Sequence, residues 1–176
     1  VADKFGRPEW DDYFMSIAIL ATTRSIDPNT KHGCCLVDDK HHILSVGYNG
    51  PLRNAIDENV PLEAPAKYEA LEHAERNSVY NAKVSLEGST AFITGFPCID
   101  CFRALVQSGV KRIVYGPIIS SKFSEGRRDT VKEMLIGQDV SFEEYKGNFW
   151  EVFEIMEDYL ATKNIVHPYA NLHKKS

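Results

Sequence analysis

Two short segments carry residue types that can do chemistry together, His73-Ala74-Glu75 and Pro97-Cys98-Ile99-Asp100-Cys101. Cysteines at i and i+3 share one face of a helix. Pro97 suits the opening of such a helix, where unpaired N–H groups and the helix dipole favour negative charge. Thiolates are stabilised there, and the thiolate is the form that ligates zinc. His73 adds a neutral imidazole. One His and two Cys make three protein ligands and leave the fourth tetrahedral position to water, the pattern of a catalytic zinc site. Glu75 follows His73 by two residues, which on a regular helix turns it ~200° away. Both reach one centre only if His73 stands at a helix start. A carboxylate there takes a proton from the metal's water and hands it on. Taken alone, a Cys-x-x-Cys pair also reads as structural zinc or redox chemistry. A structural zinc wants a fourth Cys or His, and His32, His41 or His42 would serve only by an accident of folding.

These residues need elements to hold them. Apolar side chains at Trp10, Phe14, Ile17 and Ala21 predict an amphipathic helix over 9–24. Residues 33–37 and 42–48 read as strands of a hairpin, turned at Asp38-Asp39-Lys40. The adjacent Cys34 and Cys35 then point to opposite faces as sheet filler. Residues 49–68 form a long connection of the kind used for lids and binding loops. A helix follows over 69–82, a strand over 90–94, a helix over 97–108 and a strand over 112–115, where Tyr115 reads as core. A helix over 127–136 and a strand over 140–143 come next. Asn148 and Glu151 suggest a capping box opening a last helix. Its apolar face is Phe149, Val152, Phe153, Met156 and Leu160. The order predicts an α/β fold of three layers around a mixed sheet, a hairpin followed by crossovers to parallel strands. Residues 1–163 are expected to form one domain and 164–176 a tail.

Composition bounds the partners. The chain has 176 residues with 20 Lys and Arg against 25 Asp and Glu, a net charge of −5. That balance counts against a polynucleotide partner. It permits a small anion held by a few local cations. Four cysteines are too few for a secreted disulfide scaffold. No apolar run is long enough to span a membrane, and residues 1–9 are unlike a secretory signal. A cytoplasmic setting (the host cytoplasm for a viral source) is the expectation.

His-x-Glu followed by Pro-Cys-x-x-Cys is the signature of zinc-dependent nucleobase deaminases. The sequence resembles the cytidine and deoxycytidylate (dCMP) deaminase family, and its dCMP branch above all. The resemblance runs from about Arg7 to Tyr115. It rests on Arg7-Pro8-Glu9-Trp10-Asp11-Asp12-Tyr13-Phe14-Met15, on Arg24-Ser25-Ile26-Asp27-Pro28-Asn29-Thr30, on Gly47-Tyr48-Asn49-Gly50-Pro51 and on His73-Ala74-Glu75-Arg76-Asn77. It implies a cytidine-deaminase-like α/β/α fold with a mixed five-stranded sheet. It implies hydrolytic deamination of dCMP to dUMP and ammonia, with dUMP passing to thymidylate synthesis. One catalytic Zn2+ would sit on His73, Cys98 and Cys101, with Glu75 carrying protons. Asn49 would contact the sugar, and the backbone of Ala74 would face the pyrimidine. The resemblance also implies regulation by dCTP and dTTP with Mg2+ near Tyr48 and Gly50, and a homo-oligomer, often a hexamer.

The chain departs from the family in two segments. Residues 51–72 contain neither Cys nor His, so no second, structural zinc is expected. Residues 120–130 do not match the segment expected to shape the nucleotide pocket. Arg53 and Arg127, with Arg128, are therefore candidate phosphate contacts beside the plainer reading of solvated side chains. Arg76 reads as a solvated or ion-paired helix residue. Two other functions stay open. One is deamination of another cytosine nucleotide or nucleoside, such as modified dCMP or deoxycytidine. The other is a non-catalytic zinc-containing nucleotide-binding module, against which the retention of Glu75 counts.

Overall fold

A strand buried on both faces reads as a continuous apolar run, and Gly-Cys-Cys-Leu-Val at 33–37 is one, buried at every residue. Successive side chains point to opposite faces. Cys34 and Leu36 therefore join one core, and Cys35 and Val37 the other. The computed structural model describes residues 3–118 and 125–165. Residues 119–124, and most of the expected tail from 166 on, lie outside the described residues. In chain order the elements are α1 (Trp10–Ala21), β1 (Gly33–Val37), β2 (Ile43–Tyr48), β3 (Gly50–Pro51), α2 (Lys67–Ala70), β4 (Leu71–Glu72) and α3 (Ala74–Asn81). They continue as β5 (Thr90–Gly95), α4 (Ile99–Gln107), β6 (Arg112–Ile118), α5 (Glu125–Leu135), β7 (Ser141–Glu144) and α6 (Trp150–Thr162).

Five strands form one mixed sheet in the order β2-β1-β5-β6-β7. β1 is antiparallel to both β2 and β5, while β5, β6 and β7 run parallel. Ala74, Phe102, Leu105 and Val131 bring α3, α4 and α5 onto one face, against Cys34, Leu36, Ala91, Ile93 and Ile113. Phe14, Met15 and Ala18 bring α1 onto the other, against Cys35, Val37, Phe92 and Val114. α6 lies against α1. The expected three layers and five-stranded mixed sheet are both present. Among the described residues no helix is long and apolar enough to cross a membrane.

Three local expectations need correction. The helix expected over 69–82 is broken. The four-residue α2 ends at Ala70, Leu71 and Glu72 pair with Pro51 and Gly50, and α3 starts only at Ala74. The two-residue ladder takes up backbone groups that a continuous helix would use. Pro97 precedes α4 without entering it, because Cys98 is the N-cap. Asn148 is not the N-cap of α6, although its carbonyl accepts the Glu151 N–H at 3.2 Å. Its backbone N–H donates to Asp12 Oδ1 at 2.8 Å, and α6 follows Phe149 without a side-chain cap. The apolar face of α6, open in the sequence to either core packing or an oligomer interface, has no buried residue.

α3 rests directly on β2 at Gly47. A Cβ at that position would lie 2.4 Å from the Ala74 carbonyl oxygen and 2.5 Å from the Ser78 backbone nitrogen. Ser45 Oγ donates to the Ser78 carbonyl at 2.7 Å beside it. Nothing flexible can yield there, since the obstructing atoms are backbone. Gly47→Ala is expected to lower stability by ~2–3 kcal/mol through overpacking, read by chemical denaturation. A variant as stable as the parent would contradict this close approach.

Candidate active site

The helix starts are where the chemistry gathers. His73 is the N-cap of α3, with extended backbone angles (φ −78°, ψ 152°). Cys98 is the N-cap of α4, also extended (φ −70°, ψ 164°). This irregular start is what lets His73 and Glu75 serve one pocket. His73 Nδ1 lies 3.5 Å from Cys98 Sγ and 3.4 Å from Cys101 Sγ. The three donor atoms fall within 4.8 Å of one another, and among the described residues they form the one such group of three or more His, Cys, Asp or Glu.

The donor set fits zinc. Zn–S of ~2.3 Å and Zn–N of ~2.0–2.1 Å at tetrahedral angles set S···N at about 3.5 Å. Soft thiolates with an imidazole suit zinc and do not suit Mg2+, which takes oxygen ligands.

The electrostatics point the same way. The neighbouring Cys101, with the imidazole of His73, holds the Cys98 thiol down at about 3. Cys98 beside it, burial and the Glu75 carboxylate push the Cys101 thiol up. The hydrogen bond with Cys98 outweighs burial and raises the His73 imidazole. Two sulfurs and a carboxylate share one small volume in which only Cys98 ionises readily, and a divalent cation among them would let Cys101 ionise as well. Arg76 braces the rim. Its Nε donates to Glu72 Oε1 at 2.6 Å, and that oxygen accepts the His73 N–H at 2.9 Å. Arg76 Nη1 also stands 3.9 Å from Asp100 on α4, linking the two helix starts.

A cavity of about 260 Å3 opens beside these donors. His73, Ala74, Glu75 and Cys98 line one side, with Asn49 and Arg127 among the other lining residues. Glu75 is 8% exposed. Among the described residues, no hydrogen bond or salt bridge engages its carboxylate. Asn49 is held by both ends of its amide. Nδ2 donates to the Thr30 carbonyl at 2.9 Å, and Oδ1 accepts the His32 N–H at 2.7 Å.

Other expected residues are not brought to the cavity. Arg53 Nη2 donates to Asn81 Oδ1 at 2.8 Å, at the end of α3 away from His73. Arg128 stands over the Phe96 ring, 5.6 Å from its centroid. Tyr48 and Gly50, expected near a regulatory site and not in this cavity, do not line it. The Tyr48 carbonyl accepts from Asn77 Nδ2 at 2.8 Å, and Gly50 pairs with Glu72.

Several lining residues are given no place in the cavity by the sequence reading, among them the titratable His32, Asp27 and Lys67. His32 Nδ1 lies 3.1 Å from Thr94 Oγ1, and burial lowers its pKa. Asp27 belongs to the Asp-Pro-Asn run quoted above, which gives it a faint signal. Lys67 gives none, as one lysine of a polar connection. A larger hollow of about 600 Å3 between the start of α1 and β7 is lined by Glu9, Asp11, Asp12, Glu143 and Glu144, and by none of His73, Cys98 and Cys101.

Comparison with known proteins agrees with this geometry. Residues 8–117 match the model of the cytidine and deoxycytidylate deaminase zinc-binding region. Deoxycytidylate deaminase of Pongo abelii is 31% identical over 134 residues, covering 72% of this chain and 74% of that protein. A probable deoxycytidylate deaminase of Drosophila melanogaster is 36% identical over 128 residues, and the match spans 66% of this chain and 62% of the fly protein. Among solved structures, the apo dCMP deaminase of cyanophage S-TIM5 is similar with a TM-score of 0.59 and 26% identity, over 79% of this chain and 99% of that one. The chain belongs to the cytidine and deoxycytidylate deaminase family.

Proposed function

We propose that this chain catalyses the hydrolytic deamination of dCMP to dUMP and ammonia. One observation carries the reading: a His/Cys/Cys donor set and a buried, unpaired carboxylate share one cavity, in a chain whose relatives include deoxycytidylate deaminases.

His73, Cys98 and Cys101 would hold the zinc. When bound, zinc makes a water nucleophilic near neutral pH, able to attack C4 of the cytosine ring. Glu75 would take up a proton at the cavity floor and deliver it to ring N3. It then carries the second proton to the amino group. The C4–N bond breaks, ammonia departs, and C4 keeps the oxygen as the carbonyl of uracil. Burial favours these transfers, because a carboxylate with no competing partner is free to serve the substrate.

The remaining roles follow from the lining. The Ala74 backbone faces the pyrimidine, and Asn49 has a second amide hydrogen left for the sugar. Arg127 is the better phosphate contact than Arg53, since it lines the cavity and Arg53 is held elsewhere. A homo-oligomer belongs to the same reading, supported by the exposed Trp150, Met156 and Tyr159 on α6. Regulation by dCTP or dTTP at Tyr48 and Gly50 is a separate element, without support for Mg2+ from the donor groups described. Assays with each nucleotide added test it, and no response to either removes it.

Two further outcomes are expected. Purified protein should carry one zinc per chain by elemental analysis, and Cys101→Ala none; two zinc per chain would contradict the single site. Glu75→Gln should keep its zinc and lose about 10²- to 10⁴-fold in kcat on dCMP, followed by ammonia release. An unimpaired Glu75→Gln enzyme would overturn the mechanism, and turnover of deoxycytidine in preference to dCMP would overturn the substrate.

A further inference from the structure

Between Pro51 and Leu71 every residue is exposed or half-exposed except Lys67. No apolar side chain of the long connection is therefore fully buried. Its base is closed by the β3–β4 ladder, and Arg53 touches Asn81 at an exposed position. Its buried attachment is a charged side chain, of a residue type rarely buried unless paired.

The partner is Asp27, in the loop after α1. Lys67 Nζ donates to Asp27 Oδ1 and Oδ2, both at 3.1 Å, and each side chain is 7% exposed. Burial pushes the Asp27 carboxyl up, but the Asn29 N–H, Lys67 and the Thr30 N–H together hold it below the usual carboxylate range. Asp27 Oδ1 accepts those two N–H groups at 2.9 and 3.1 Å. The Thr30 carbonyl in turn accepts from Asn49 Nδ2. Lys67, Asp27, Thr30 and Asn49 therefore form one continuous chain of polar contacts, and all four line the cavity beside Glu75.

An apolar pair of similar volume would hold two loops together at least as well. What the ion pair adds is a fixed direction, since Lys67 meets both carboxylate oxygens while the same carboxylate orients the turn under Asn49. We propose that the buried Asp27–Lys67 pair is a positioning pair for nucleotide binding, fastening the 52–70 connection to the loop after α1 and setting the cavity wall that carries Asn49. This rests on the cavity being the nucleotide site. Neither residue touches the reacting atoms, so the pair acts on substrate affinity and leaves the chemical step alone.

The test compares Lys67→Met, Lys67→Arg and the double variant Asp27→Asn/Lys67→Met with the parent. The double variant leaves no lone buried charge and keeps an acceptor oxygen for the Asn29 and Thr30 N–H groups, so it folds even where Lys67→Met does not. Readouts are dUMP affinity by calorimetry, KM and kcat on dCMP, and zinc content. The methionine variants should lose ~10- to 100-fold in dUMP affinity and in KM, as expected if the competent wall is populated only a few per cent of the time. Their kcat should stay within about threefold and their zinc at one per chain, and Lys67→Arg should recover most of the loss. Parental dUMP affinity in the double variant overturns the proposal. So does a loss of zinc or of kcat in step with KM, which marks a merely structural role. Parent protein that neither binds dUMP nor turns over dCMP fails differently, since it removes the dCMP reading itself.

Discussion

Two thiols and an imidazole from two different helix starts have to meet within one coordination sphere, and the sheet exists in the form that brings them there. β2 and β5 both run antiparallel to the β1 between them, so they point the same way. The chain leaving each reaches the same sheet edge, where α3 and α4 begin. In α/β sheets that edge is where ligands bind. The distance between the helix starts is then a matter of packing. α3 comes down onto the bare backbone of Gly47, and the parallel β5–β6 pair fixes the return of the chain after α4.

Charge tells which part of this frame is structure and which is site. Four charged residues of the described chain are buried: Asp12, Asp27, Lys67 and Glu75. Asp12 accepts from the Tyr145 hydroxyl and the Asn148 N–H, and so ties β7 and the start of α6 to α1. Asp27 and Lys67 satisfy one another. Glu75 alone of the four has no hydrogen-bond or ion-pair partner among the described residues, and it faces the cavity. No fully buried side-chain oxygen among the described residues lacks a partner, so the Glu75 carboxylate opens to the cavity and is not sealed in the core. It stands beside the sulfurs of Cys98 and Cys101, within reach of anything that enters the cavity.

Much of this was legible in the chain because it is local. The i, i+3 spacing of Cys98 and Cys101 places two sulfurs at one helix start whatever the rest of the fold does. The two-residue step from His73 to Glu75 makes sense only at a helix start, and that start is where α3 begins. Adjacent Cys34 and Cys35 must part to opposite faces of any strand, and they sit in the two separate cores. Local patterns misled where a distant partner competed. The Asn148–Glu151 spacing reads as a capping box, but Asp12, far away in sequence, accepts the Asn148 N–H. The helical pattern over 69–82 ignores the ladder that Gly50 and Pro51 impose on Leu71 and Glu72.

The sequence by itself determined the His/Cys/Cys cluster, the carboxylate beside it, the alternation that layers the sheet and the family, because each depends on spacings of a few residues or on a run of matched motifs. Only the tertiary structure decided which cations reach the cavity. Arg53 and Arg127 look alike in the chain, yet one is held by Asn81 and the other lines the cavity. Lys67, without any local mark, is buried against an aspartate 40 residues earlier. A flexible side chain's destination is set by whichever partner the packed chain brings within ~3 Å, and no spacing along the sequence encodes that distance.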